Sequence, residues 1–332
     1  MRFIAGAALI LVQACATPHV SSLKAQTIQA APKSPHAGPQ YTLAHADSRI
    51  GTYVSSEESF QTNSYWIEGP EGLIFIDTQF LLSAAAESIE WAEHLTGKKV
   101  VLAVILHPNP DKFNGTEVFQ RRGIPVFTSD QVLALIPEVH KDRHFWFYKR
   151  YAPDYPDQAP TPSSLGPRSV DITSAGITFK AHMLKGPGAS GAHLVVEYEG
   201  HVFTGDLVAS LGHSWLELGK TPDWLARLDE IRELEPEFVH PGRGPSGGDE
   251  LLSREESYLR KVMALVAAEK PGLPSSSEKA QAAIERIIAK LEALYVDYSN
   301  PHFLEIGLPA EWDRQFRERT KPAAPMHRAP KK

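Results

Sequence analysis

The chain has 332 residues, of which 42% are hydrophobic and 22% are charged, as in an ordinary soluble globular protein. Its formal net charge of −6 excludes a typical nucleic-acid-binding surface, because no excess of cations is present to neutralise phosphates. Cys15 is the only cysteine, so no internal disulfide can form and stability must come from a buried core. A layered α/β domain of about 200–250 residues with flanking segments fits this length.

Residues 1–16 are predicted to be an export signal, since Arg2 precedes an apolar run at 3–12 that is too short to span a bilayer as a stable helix. Residues 12–15 (VQAC) resemble a lipobox, which implies lipidation of Cys15. Residues 14–16 (ACA) also fit a cleavage site that would release a soluble protein. We favour lipidation, because the chain's single cysteine stands where lipidation requires one. Both interpretations predict an exported protein, either periplasmic or an outer-membrane lipoprotein held by its lipid anchor.

Residues 17–48 are predicted to be a flexible tether, since they are rich in Ala, Pro, Ser, Gln and Thr and lack apolar periodicity. A single domain is predicted at 49–270. Its first half alternates apolar strand-like runs with helical patterns, which is typical of βαβ units. We predict strands at 64–68, 72–78, 98–106 and 124–127, and helices at 82–95, 113–122 and 129–150.

A Pro-rich loop at 153–167 leads to a second half of similar pattern. There we predict strands at 169–173, 177–184, 194–198, 202–204 and 238–240, and helices at 223–234 and 250–268. Two such halves predict two sheets packed face to face with helices outside. A C-terminal helical extension at 271–320 contains an amphipathic helix at 277–295, which is expected to dock on the domain. Residues 321–332 are predicted to be a disordered basic tail.

The segment most informative about function is 107–115 (HPNPDKFNG), directly after a buried strand. Four further segments accompany it along the chain: 75–78 (FIDT), 186–190 (GPGAS), 204–206 (TGD) and 241–245 (PGRGP). In this order and spacing, the five segments resemble the landmarks of the metallo-β-lactamase superfamily, from about residue 50 to residue 265. The resemblance implies an α/β fold, a four-layer αββα sandwich, to which the C-terminal helix is an addition.

In that superfamily the corresponding loops converge at one sheet edge and bind one or two metal ions, usually zinc. Neutral imidazoles and carboxylates hold the zinc with one position open, and the pKa of the bound water falls to about 7. The resulting hydroxide attacks an ester, thioester, amide or phosphodiester. The resemblance therefore implies hydrolysis only where the metal ligands are present.

Most of these ligands are replaced in this chain. The first metal site corresponds to His107, Asn109 and Ala189, and the second to Asp111, Lys112, Asp206 and Arg243. Asn is a poor zinc ligand, Ala is none, and Lys and Arg are cations that repel a metal. We therefore expect no bound metal; if zinc binds, its ligands would be His107, Asp111 and Asp206.

Other histidines are not expected to replace the lost ligands. His193 and His240 lie three or four residues from the positions concerned, which is about 10 Å in an extended chain. His213, in the loop after Asp206, is the best candidate for a substitute contact in the cleft.

The substitutions instead predict a metal-free ion-pair cluster. Lys112 and Arg243 add two positive charges where the second metal would lie, and Asp111 and Asp206 are retained to pair with them. The candidate residues of the surrounding cleft are Asp77, His213, Trp146 and Trp215. Among them, Asp77 is also expected to tie the loops together from the end of its strand.

These features predict a non-catalytic envelope protein, a pseudo-hydrolase that retains a cleft for a small anionic or amphiphilic ligand or for a partner protein. The first alternative is a hydrolase of an ester, thioester or amide, with an atypical or weakly bound metal or with an unrecognised nucleophile. The second alternative is a scaffold protein in an envelope assembly that uses the C-terminal helix and tail. A nucleic-acid partner is not expected.

Overall fold

The computed structural model describes residues 47–321, so the predicted export signal, Cys15 and nearly all of the predicted tether lie outside the described residues. The first of two sheets has six strands in sequence order: β1 Ile50–Val54, β2 Asn63–Gly69, β3 Gly72–Ile76, β4 Val100–Val104, β5 Val126–Thr128 and β6 Ser163–Ser164. Strands β1 to β3 are antiparallel to one another, and β3 to β6 are parallel. The parallel strands direct their carboxyl ends to one edge of the sheet.

The second sheet has five strands: β7 Val170–Ser174, β8 Ile177–Met183, β9 Leu194–Tyr198, β10 His201–Ala209 and β11 Phe238–Arg243. They lie in the order β11-β10-β9-β8-β7, and β10 and β11 are the one parallel pair among them. The helices are α1 Leu82–Thr96, α2 Pro110–Phe113, α3 Thr116–Arg121, α4 Asp130–Tyr151, α5 Thr221–Arg232, α6 Glu250–Ala268, α7 Glu278–Leu294 and α8 His302–Thr320.

Three apolar cores separate four layers. One core lies between the two sheets and includes Ile74, Val104, Val196 and Phe203. A second lies between the first sheet and α1, α3 and α4, and a third lies between the second sheet and α5 to α8. The predicted αββα sandwich of the metallo-β-lactamase type is therefore confirmed.

Three elements and one boundary differ from the sequence prediction. Strand β1 was not predicted, and strand β6 lies within the segment expected to be a Pro-rich loop. The single helix expected at 113–122 is two short helices, α2 and α3. Helix α8 was also missed, because Gly307 and Pro309 interrupt its pattern with poor helix formers. It forms nevertheless, since Leu304, Leu308 and Trp312 pack into the third core.

The C-terminal helix predicted at 277–295 is present as α7, and the Ser277 side chain caps it by accepting from the Ala280 backbone N–H. Its apolar stripe is buried against the domain, as expected. Within the described part of the chain, no helix combines the length and the apolar character needed to cross a membrane. The predicted tail lies outside the described residues apart from Lys321.

Candidate functional site

The landmark loops meet where the parallel strands end. His107 follows β4 and Asp77 follows β3, while Asp111 and Lys112 lie in the first turn of α2. From the second sheet, Asp206 of β10 and the last residue of β11, Arg243, approach the same place. The fold thus brings residues of four of the landmark segments, far apart in the sequence, to one sheet edge.

Four of these side chains form a closed ion-pair cluster. The Lys112 ammonium lies 3.1 Å from Asp111 Oδ2 and 3.0 Å from Asp206 Oδ1. The Arg243 guanidinium bridges the same carboxylates, with Nη2 2.8 Å from Asp111 Oδ2 and Nη1 2.5 Å from Asp206 Oδ2. The charge-assisted contacts predicted from the sequence are therefore all formed.

The ion-pair cluster is withdrawn from solvent. The Lys112 side chain is 0% exposed, and the other three side chains are at most 7% exposed. Burial disfavours the charged form of every group in the cluster, and on its own it would lower the pKa of Lys112. The attraction of Asp111 and Asp206 outweighs this effect and leaves the pKa of Lys112 above its ordinary value. In the same way Arg243 and Lys112 hold the pKa of Asp206 well below its usual range. All four groups are consequently charged at neutral pH, and their charges cancel.

A threonine that was not predicted from the sequence completes the ion-pair cluster. Thr62 accepts a hydrogen bond from Lys112 Nζ at 2.5 Å, and its own hydroxyl donates to Asp111 Oδ2 at 2.8 Å. Arg243 also donates from Nε to the Phe60 carbonyl at 3.0 Å. These contacts anchor both cations to the loop before β2, so neither ammonium nor guanidinium is directed to solvent.

The residues of the former first metal site form a hydrogen-bonded network instead. His107 Nε2 lies 3.4 Å from the Asp206 backbone nitrogen, from which it can accept a hydrogen bond, and 3.7 Å from Asp206 Oδ1. Nδ1 donates to Ser190 Oγ at 2.9 Å, and the serine hydroxyl donates to Asn109 Oδ1 at 3.0 Å. In this arrangement His107 cannot act as a base toward Ser190, because it already donates to that oxygen.

The prediction that His193 lies about 10 Å from the lost ligand position was wrong. Its ring centroid lies 5.2 Å from that of His107, because the chain between 189 and 193 turns back instead of extending. The His193 Nε2 atom accepts from the Ser190 backbone N–H at 2.9 Å, so this lone pair is engaged. His240, by contrast, bonds to His201 and Ser246 and takes no part in the site.

Ala189 takes part in the apolar packing. It is 2% exposed and belongs to the core between the second sheet and its helices, together with Val195 and Leu207. The chain therefore has a small apolar side chain, and no donor atom, at this former ligand position.

The residues present do not fit a zinc ion. At the second site, the fully buried Lys112 ammonium lies about 3 Å from both carboxylates. It occupies the place where a zinc ion would bind, and its positive charge would repel one. At the first site, His107 is the one remaining ligand, and its Nε2 faces a backbone N–H. Among residues 47–321, no group of three or more His, Cys, Asp or Glu side chains is arranged to hold a metal.

The cleft above the ion-pair cluster has two parts. An inner pocket of about 30 Å³ is closed by Arg143, Trp215 and four phenylalanines, Phe60, Phe80, Phe147 and Phe303. That volume holds one or two water molecules. Phe303, which comes from the unpredicted helix α8, lies 5.1 Å from the Arg243 guanidinium and 4.8 Å from the Trp215 ring.

The outer part is a groove of about 480 Å³ that shares Phe60, Phe147 and Trp215 with the inner pocket. It is lined further by Glu57, Glu58, Trp146, Arg150, Tyr151, His302 and Ile306. The groove thus contains both tryptophans that the sequence assigned to the cleft. Arg143 lines the inner pocket but not the groove; its guanidinium lies 4.3 Å from the centre of the Trp146 ring and forms an ion pair with Glu217.

The two other cleft candidates are elsewhere. His213 is 1% exposed and bonds to the Tyr258 hydroxyl at 2.9 Å, beneath α6 and α7, because its loop directs the ring into the third core. Asp77 lies behind the site, where its Oδ1 accepts from the Leu106 backbone N–H at 2.9 Å. Burial raises the pKa of Asp77 to about 7, although Lys112 and His107 lower it. It ties two strand ends together and lines neither part of the cleft.

Several solved structures share this architecture at low sequence identity. The metallo-β-lactamase from Pontibacter korlensis is 21% identical, with 65% of this chain and 97% of that chain covered and a TM-score of 0.54. FIM-1 from Pseudomonas aeruginosa, in its mono-zinc form, is 19% identical, with 68% and 97% covered and a TM-score of 0.52. DIM-1 metallo-β-lactamase is 17% identical, with 67% and 98% covered and a TM-score of 0.53. At these identities the likeness shows the fold alone.

Among curated proteins no match is found. The model of the metallo-beta-lactamase superfamily matches residues 58–243, which is more than half of the chain and contains four of the five landmark segments and the first three residues of the fifth. The chain belongs to the metallo-β-lactamase superfamily.

Proposed function

We propose that this protein is a non-catalytic member of its superfamily, a pseudo-hydrolase whose former metal centre is a structural ion-pair cluster and whose outer groove binds a small ligand. The observation that supports this most directly is the Lys112 ammonium between Asp111 and Asp206. A cation that is covalently part of the chain balances the charge that a metal would balance, but it supplies no Lewis acid and no hydroxide.

The dimensions of the cleft support the same proposal. The inner pocket, which lies over the former metal centre, has a volume of about 30 Å³ and no room for a substrate. The outer groove, at about 480 Å³, is in the range of roughly 300–1,000 Å³ that is usual for small-molecule sites. The lining of the groove contains none of the four residues of the ion-pair cluster.

No observation favours a hydrolase over this proposal. Ser190 is the nearest nucleophile candidate, but it is 3% exposed, and the hydrogen-bonding pattern makes it an acceptor from His107. The scaffold alternative gains no support from α7, since its apolar stripe is covered by the domain. We further propose that the protein acts in the cell envelope, on the basis of the signal-like residues 1–16.

Elemental analysis tests the proposal. Purified protein is incubated with zinc, manganese and iron, desalted and analysed, and we expect far less than one ion per chain. The Asp206→Asn variant serves as a matched sample, because it removes a carboxylate that any second-site metal would need. One tightly held ion per wild-type chain, absent from Asp206→Asn, would overturn the proposal and favour a metal-dependent hydrolase.

A further inference from the structure

The walls of the outer groove are predominantly aromatic. Five aromatic side chains line it: Trp146, Phe147 and Tyr151 from α4, Phe60 from the loop before β2, and Trp215 from the loop after β10. The face of an aromatic ring carries negative electrostatic potential, which attracts cations as well as apolar groups.

The same rings already bind the protein's own cations. The Arg143 guanidinium lies 4.3 Å from the centre of the Trp146 ring and 5.9 Å from that of Trp215. The Arg150 guanidinium lies 5.0 Å from the centre of the Tyr151 ring. Three of the five groove aromatics therefore have an organic cation within cation–π distance.

The charged residues of the groove favour an additional cation. Glu57 and Glu58 line it and are exposed, whereas Arg150 is the one permanent cation in the lining. Burial lowers the pKa of His302, which keeps this neighbouring imidazole neutral at pH 7 in spite of Glu57 beside it. The lining thus carries one more negative than positive charge at neutral pH.

From the aromatic walls and this excess of negative charge we infer that the outer groove binds a small organic cation of the quaternary ammonium class. The inference rests on the proposed function, in that it names the ligand class of the groove. It does not depend on whether the ion-pair cluster can bind a metal.

Three probes of nearly equal shape separate charge from apolar contact: choline, its neutral isostere 3,3-dimethylbutan-1-ol, and the anion 3,3-dimethylbutanoate. Binding of each to the full chain is measured by titration calorimetry and by quenching of tryptophan fluorescence. We expect choline to bind about tenfold more tightly than the neutral alcohol, because the cation–π attraction is added to an equal apolar contact. The anion should bind most weakly.

Two variants locate the site. Glu57→Gln/Glu58→Gln should weaken choline binding several-fold and leave the neutral alcohol unchanged, whereas Trp146→Ala should weaken both. The matched control Glu285→Gln/Glu292→Gln removes two exposed carboxylates from α7, neither of which lines the groove, and should change neither affinity.

Each contrary result is informative. Equal affinity for choline and the neutral alcohol would overturn the inference and show a groove for uncharged apolar ligands, while tightest binding of the anion would overturn it in favour of Arg150. Choline binding that Trp146→Ala does not affect, or no binding of any probe, would also overturn it. Failure of the pseudo-hydrolase proposal is detected separately, by the metal content.

Discussion

At the scale of single residues, Lys112 is the side chain on which the site depends most. It is completely buried between two carboxylates and a threonine hydroxyl, and three of its contacts are 3.1 Å or shorter. We expect Lys112→Met to destabilise the protein by about 3–5 kcal/mol at pH 7, because Asp111 and Asp206 would then share only Arg243. Urea unfolding measures the effect.

Lys99→Met is the matched control, since Lys99 is 81% exposed in its pair with Glu93 and an exposed pair contributes only about 0–1 kcal/mol. The double variant Lys112→Met/Asp111→Asn should be less destabilised than Lys112→Met alone. Equal destabilisation of the single and double variants would show that the ammonium contributes packing and not charge balance.

Residue identity predicted this cluster, but it did not predict the network beside it. A cation at a ligand position has few ways to be buried other than next to the retained carboxylates, so Lys112 and Arg243 could be paired from the sequence. His193 could not be placed, because its position depends on a turn whose geometry the spacing does not specify. Thr62 carried no signal at all, as a lone threonine before a strand is common.

At the scale of elements, Glu255 joins α6 to the second sheet. Its carboxylate accepts from the Ala209 backbone N–H at 3.1 Å and from the Ser214 hydroxyl at 2.7 Å, and burial raises its pKa from 4.5 to about 7. Between these pH values the folded protein binds a proton that the unfolded chain does not bind. This group therefore stabilises the fold below about pH 4.5, and its contribution is lost as the pH rises to about 7.

Glu255→Gln should remove that contribution at every pH. The unfolding free energy of the variant minus that of wild type should therefore rise between pH 4.5 and pH 7, by about 3 kcal/mol at most. Urea titrations at several pH values measure the difference in unfolding free energy between the variant and wild type. Asp77 and the ion-pair cluster are present in both proteins, so their contributions cancel in this difference. Glu256→Gln on the solvent side of the same helix is the comparison, since the pKa of Glu256 is shifted in the opposite direction, chiefly by Arg260. A pH-independent difference for Glu255→Gln would contradict the expectation.

Helix α8 is the element that sequence patterns missed and that the cleft nevertheless requires. Its Trp312 is 4% exposed in the third core, and its Phe303 closes the inner pocket. We expect Trp312→Ala to destabilise the protein by about 3–5 kcal/mol, as for other large buried aromatics. Thermal unfolding measures this loss.

The control for α8 is Leu294→Ala, at a residue that is 57% exposed near the end of α7, where a change within about 0.5 kcal/mol is expected. Comparable effects of the two substitutions would mean that α8 does not contribute to the core. Periodicity failed for this helix because its stability comes from tertiary packing, which outweighs the poor helix formers within it.

At the scale of the whole molecule, the fold followed from the order of the landmark segments, because that order implies which strands are neighbours and which loops share an edge. The three apolar cores lie between successive layers, as that strand order requires. The metal ligands could be lost without loss of the fold, since the cores lie between the layers and the ligands lie at the strand ends. The shape of the cleft could not be predicted, because its walls come from α4, α8 and two loops whose meeting depends on tertiary packing.

If the backbone still presents the family geometry, a metal site should be recoverable with few changes. Lys112→His/Arg243→His would create two carboxylates and two imidazoles at the second site, which is a plausible zinc donor set. The carboxylate oxygens now lie 3.0–3.1 Å from the Lys112 nitrogen, and a zinc ion in its place requires a contraction of about 1 Å. The first site is the poorer choice, because Ala189 is packed in the core.

Without metal, this variant has two buried carboxylates opposite neutral imidazoles, so it should be less stable than wild type. Zinc should bind the folded state and raise its stability by about 2.7 kcal/mol at a concentration one hundred times the dissociation constant. Thermal unfolding with and without zinc, together with the zinc content after desalting, measures both effects. The same variant carrying Asp206→Asn should lose most of the gain, because one of the four ligands is then a poor donor. A double variant that folds, takes up no zinc and is not stabilised by it would show that the strand ends have moved away from the family geometry.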